Sequence, residues 1–149
     1  MQIVKSHFTN ELELRPCNDG RNWIVAHVFG LFTPLTGLIV VPSGFLTDLA
    51  SIPRLFWNIL PPFGKYTRAA VIHDFLYRTR ICSRKTADRT LLAGMKLCGV
   101  PLWQRVLIYG NVRAFGLIAW EDDARHILPP PTHATDTRYG GKHYMSRHD

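Results

Sequence analysis

Every strand-like run in this chain lies before residue 43, and every long helical pattern lies after residue 65. The two patterns never alternate. That excludes repeated strand–helix–strand units with a parallel sheet and predicts an α+β fold, strands first and helices after. Among the strands, Ile3, Val4 and Phe8 open the chain, and Glu11-Leu12-Glu13-Leu14 alternates with period two. Asn18-Asp19-Gly20 reads as a turn, and Trp23 to Phe29 is rich in strand formers, so a hairpin is expected. Leu38-Ile39-Val40-Val41 is a further short strand between Gly37 and Pro42. Together they predict a small, mostly antiparallel N-terminal sheet. A three-helix core follows. The first helix spans Tyr66 to about Thr79, and a break at Arg80-Ile81-Cys82 precedes the second, capped by Ser83 and running to about Leu97. Gly99 ends that helix, and Pro101 starts a third that reaches Trp120. Glu121-Asp122-Asp123 opposes the dipole at a helix C-terminus, so the third helix is expected to stop there.

The apolar fraction, 46% of 149 residues, is enough for one packed core. A single globular domain over residues 1–126 is expected, with 127–149 as an extended Pro- and His-containing tail. The histidines around that tail, His126, His133, His143 and His148, have no metal-site spacing. Cys17, Cys82 and Cys98 are an odd set without a CxxC pair, which argues against disulfides or a zinc finger and for a reducing compartment. The N-terminus has no apolar run of signal-peptide length. Gln104, Arg105, Asn111 and Arg113 interrupt the apolar stretch Leu97–Trp120, so it reads as a buried core helix and the chain as not an integral membrane protein.

The net charge of +7 resides in the body of the chain. Residues up to Trp120 carry 14 Lys and Arg against 6 Asp and Glu, and the rest carry 4 against 5. Arg78, Arg80, Arg84, Lys85 and Arg89 cluster in sequence and could meet phosphate, but no aromatic interleaving or groove-reading motif accompanies them. A solvated basic face is the simpler reading, and nucleic acid is not an expected partner.

Three of those six acids, Asp48, Asp74 and Asp88, sit beside apolar or small residues rather than in charge runs. His73 and Tyr77 are four apart and share a helix face. In an antiparallel helix pair with its turn near Arg80-Ile81, His73 lies level with Asp88. Asp88 can then accept a hydrogen bond from one ring nitrogen, leaving the other as a base towards water. Tyr77 can donate to Asp88. Asp74, rotated roughly 100° from His73, is left to bind a hard cation, and Asp48 would join it if its loop folds over the helices. His73, Asp88 and Tyr77 are therefore the expected catalytic residues, Asp74 and Asp48 the expected metal ligands, and Ca²⁺ or Zn²⁺ the cation they would take.

Two resemblances bear on this set. The run Val41-Pro42-Ser43-Gly44-Phe45-Leu46-Thr47-Asp48, then Ala50-Ser51-Ile52-Pro53-Arg54, the Ala69-Ala70-x-x-His73-Asp74-x-Leu76-Tyr77 helix, Ser83-Arg84-x-x-Ala87-Asp88 and Val112-Arg113-x-Phe115-Gly116 resemble a family of uncharacterised proteins common in tailed bacteriophages and prophages. His73-Asp74-x-x-Tyr77 with Asp88 on the next helix is similar to the site of phospholipase A₂ enzymes, above all the disulfide-poor bacterial and parvoviral forms. That resemblance implies His73 as general base on water, Asp88 as its orienter, Asp74 as Ca²⁺ ligand and Tyr77 as support. Where those enzymes carry a glycine-rich calcium loop, this chain has Leu60-Pro61-Pro62-Phe63-Gly64-Lys65-Tyr66.

The resulting expectation is a phage-encoded protein that performs water-mediated, metal-assisted hydrolysis of an ester or cell-envelope bond. The alternative is a non-catalytic component of the virion, in the tail or its tip, with the polar residues as a structural network. Other virion proteins and the host envelope or its lipid are the expected partners. The host cytoplasm is the expected location after synthesis, with assembly into the virion as the further step.

Overall fold

The computed structural model describes residues 5–20, 22–49, 60 and 64–125. The expected tail and the Ala50–Arg54 motif lie outside these residues.

The longest ladder pairs β4 (Phe29–Thr33) with β5 (Gly37–Val41), antiparallel, with Leu31 opposite Ile39. Its alternation is that of a sheet with one wet face. Phe29, Leu31, Ile39 and Val41 are buried, while Leu38 and Val40 face solvent. β1 (His7–Phe8) adds to the other edge of β4. A second three-stranded sheet has the order β2 (Leu14–Pro16), β3 (Trp23–Val25), β6 (Leu46–Thr47), also antiparallel throughout. The expected hairpin is present. Asp19 turns the chain by accepting from the Asn22 amide at 2.9 Å, and Cys17 N–H donates to the Asn22 carbonyl.

The Trp23–Phe29 run is not one strand. It ends at Val25 and restarts at Phe29 in the other sheet. Between them, backbone groups find partners outside either ladder: the Ala26 amide donates to Glu13, the Ala26 carbonyl accepts from Ser43 Oγ at 2.7 Å, and the Val28 carbonyl accepts from Asn10. The break lets Val25 and Phe29 enter one core from two sheets.

Three helices follow: α1 (Thr67–Thr79), α2 (Arg84–Leu97) and α3 (Leu102–Arg125). The α1 residues Ala69, Ile72, His73, Leu76 and Tyr77 recur at helical spacing and are buried. Arg80 ends α1 in a left-handed conformation (φ 52°), its N–H bonded to the Leu76 carbonyl. Ser83 caps α2, its Oγ accepting from the Thr86 amide. The fold is α+β. One core cluster joins both sheets to α1, and a second lies among the helices around Tyr66, Leu91, Met95 and Ile108.

Two expectations for α3 need correction. It continues through Glu121-Asp122-Asp123 to Arg125. Acids at a helix C-terminus cost only about 0.3–1 kcal/mol each when exposed, and Glu, Ala and Arg are good helix formers. Nor is α3 buried all round, because it packs on the other helices along one side. Leu102, Trp103, Val106, Phe115, Leu117 and Ile118 are exposed. Among the described residues, no helix is long and apolar enough to cross a membrane.

Candidate functional site

The site forms where α1, α2 and α3 meet. His73 Nε2 lies 3.0 Å from Asp88 Oδ1, and Tyr77 Oη donates to the same oxygen at 2.7 Å. The His73 and Tyr77 rings lie one turn apart on α1 with centroids 4.1 Å apart. The other carboxylate oxygen, Oδ2, accepts from Arg113 Nη1 of α3 at 2.7 Å, with Arg84 Nη1 at 3.8 Å. Asp88 has no exposed surface.

Burial, the largest single influence on Asp88, opposes its ionisation. The hydrogen bonds from His73, Tyr77 and Arg113 together outweigh that and hold the carboxyl below its usual range. An ionised Asp88 only accepts, so the proton on Nε2 belongs to His73 and the neutral ring presents Nδ1 as acceptor. Burial, then the bond to Asp88, raises the Tyr77 phenol well above its ordinary value and keeps it a donor.

Nδ1 of His73 has no hydrogen-bond partner among the described residues. His73 is buried, not open to solvent as a base in a wide cleft would be, and it lines a small cavity. Asp74 and Asn111 supply the other polar lining, and Leu49, Leu60, Tyr66, Leu91 and Ile108 are among the apolar walls. The volume, about 30 Å³, suits one or two waters. Asn111 Oδ1 is buried with no hydrogen-bond partner among the described residues.

Asp74 is not left free. Its Oδ2 accepts from the Thr47 hydroxyl of β6, and Arg78 pins β6 to α1 by donating to the Leu46 carbonyl at 2.7 Å. Burial, and next the charge of nearby Asp48, push the Asp74 carboxyl up to about 6, against the opposing effects of Thr47, His73 and Arg78. Asp48, half-buried, is thus near enough for its charge to act on Asp74. Yet among the described residues no three His, Cys, Asp or Glu side chains converge as a metal cluster. Among the described residues, two carboxylates and a hydroxyl stand here, fewer than the six to eight oxygens that Ca²⁺ takes.

The fold thus joins His73, Tyr77 and Asp88 directly and places Asp74 on the cavity that His73 lines, within reach of the Asp48 charge. Three partners escaped sequence reasoning: Arg113, Thr47 and Asn111. Arg113 and Thr47 lie inside the motif runs quoted above. Asn111 is a lone amide in an apolar stretch, and in the sequence it signals only a break in a membrane span.

No solved structure matches the chain. The uncharacterized protein y4jT of Sinorhizobium fredii (strain NBRC 101917 / NGR234) is 40% identical over 78 residues, which is 51% of this chain and 23% of that protein. The chain thus spans less than a quarter of that relative's length. A family model described as a protein of unknown function, DUF1353, matches residues 23–112, a stretch that takes in Asp48, His73, Asp74, Tyr77, Asp88 and Asn111. Since that match covers more than half of the sequence, the chain belongs to the DUF1353 family.

Proposed function

We propose that this protein is a hydrolase that activates water with His73 and acts on an ester. One observation carries the reading. The His73 imidazole is fixed through Nε2 to a buried carboxylate, while Nδ1, with no partner among the described residues, belongs to a ring lining a cavity of water size. In the reaction Nδ1 takes a proton as water oxygen bonds to the ester carbonyl carbon. Asp88 stabilises the imidazolium. Collapse of the tetrahedral intermediate breaks the bond to the alcohol oxygen, which receives the proton back from Nδ1. Tyr77 holds the carboxylate in plane, and Asn111 and Asp74, which line the same cavity, would hold the attacking water. The likeness of the His73-Asp74-x-x-Tyr77 helix to phospholipase A₂ sites supports the same class, and the motif resemblance to phage proteins supports a host-envelope substrate.

A second reading has its own observation. Asp88 is fully buried and binds groups on α1 and α3 from α2, as a structural clamp in a virion component would. Acid release from phospholipid vesicles and from nitrophenyl esters by the wild type and by His73→Asn separates the two. Hydrolysis lost in the variant supports the hydrolase. A folded wild type inert on every ester supports the clamp.

A further inference from the structure

The outer side of α3 carries an apolar stripe with an internal symmetry. Leu102, Trp103, Val106, Leu117 and Ile118 each leave half or more of their surface in solvent. Gly110 and Ala114 are exposed between them. At 100° per residue these seven positions fall within one arc of the helix. They are palindromic about Gly110: Leu102 and Ile118 stand eight residues to either side, Trp103 and Leu117 seven, Val106 and Ala114 four.

We propose that this stripe is the two-fold interface of a homodimer, with α3 packed antiparallel on α3 of a second copy and Gly110 at the axis. Large residues then face large or medium ones: Leu102 meets the second copy's Ile118, and Trp103 its Leu117. The absent side chain at Gly110 lets the helices cross closely. A Cβ built there meets nothing within 4 Å, so no part of the described chain fills this space. The same register brings exposed Glu121 alongside the N-terminus of the second copy's α3, where a carboxylate is favourable, although it is unfavourable at the C-terminal end of its own helix. The five large side chains alone offer on the order of 600 Å² per copy, against about 800 Å² per partner in a specific interface. Pro101, Gly110, Ala114 and Glu121, all exposed, extend the patch. An isologous contact of this kind closes on itself and leaves no apolar stripe exposed.

The test uses the full chain. Sedimentation velocity over a range of concentrations should show a reversible dimer, and Val106→Glu and Gly110→Arg should each weaken it at least tenfold while circular dichroism stays unchanged. With Cys17, Cys82 and Cys98 replaced by serine, Gly110→Cys should form a disulfide-linked dimer under mild oxidation far faster than Phe115→Cys, which is exposed but off the stripe. A wild type that stays monomeric at every concentration overturns the proposal, whether the chain's own later residues or a lipid surface cover the stripe. So does a dimer indifferent to both substitutions.

Discussion

Ala69 and Gly94 meet across the α1–α2 hairpin with no room between them: a Cβ on Gly94 would stand 2.8 Å from the Cβ of Ala69 and 3.3 Å from its Cα. Small residues at this crossing let the two helices close up, and one turn further along they bring His73 level with Asp88. Gly94→Val should therefore force the pair apart. We expect a loss of about 1–3 kcal/mol, read by chemical denaturation, together with a change in the His73 ring resonances by NMR.

His73 is buried, so its removal is expected to cost stability as well as chemistry. His73→Ala leaves Asp88 with Tyr77 and Arg113 but without its α1 imidazole. A loss of about 1–3 kcal/mol is expected. Any ester hydrolysis should vanish in the same variant. Thermal melts beside an acid-release assay read the two effects separately.

Asp88→Asn should cost about 3 kcal/mol, because at the fully buried Asp88 the part-exposed Arg113 and two further donors lose their charge complement. The Asp88 carboxyl is held below its usual range in the folded state. Its stabilising effect is therefore present above the unfolded carboxylate range and fades as pH falls through the folded value. Denaturation curves should show wild type losing stability on acidification more steeply than Asp88→Asn. An unchanged acid limb in the variant would count against the buried network.

Asp74 has the opposite sign. With its carboxyl raised to about 6 in the fold, the native state holds the proton more tightly than the unfolded chain. Stability from this group is fully present below about pH 4 and declines as pH rises through about 6, by at most about 3 kcal/mol. Asp74→Asn still accepts from Thr47, removes the decline, and should be the more stable protein at pH 7.5. Equal stability of the two at that pH would show that Asp74 ionises without strain.

Gly116 sits over the Tyr77 hydroxyl, 2.7 Å from where a Cβ would lie. Gly116→Ala should push the phenol off Asp88. Tyr77→Phe should reproduce its effect on activity, and the two changes combined should cost little more than either one.

How much of this was legible before the fold is uneven, for physical reasons. The separation of strand and helix patterns fixed the fold class, and the position of the turn between α1 and α2 placed His73, Tyr77 and Asp88 together, because hairpin register depends mostly on local spacing. The division of Trp23–Phe29 between two sheets was not legible, since it depends on Glu13, Ser43 and Asn10 satisfying the intervening backbone. Arg113 was hidden for a similar reason. Its reach to Asp88 depends on the roll of α3, and a helix apolar on every side carries no periodic signal to set that roll. For the same reason α3 read as buried.

A carboxylate is flat and stiff, and its two oxygens cannot move independently. Asp88 gives Oδ1 to α1 and Oδ2 to α3. Any roll of α3 that carries Arg113 with it must turn the carboxylate plane, and the imidazole on the far side has to follow or let go. Arg113 leaves α3 within one turn of Gly110. Whatever grips the outside of that helix holds one end of a chain of hydrogen bonds, and the other end is the His73 ring that lines the cavity.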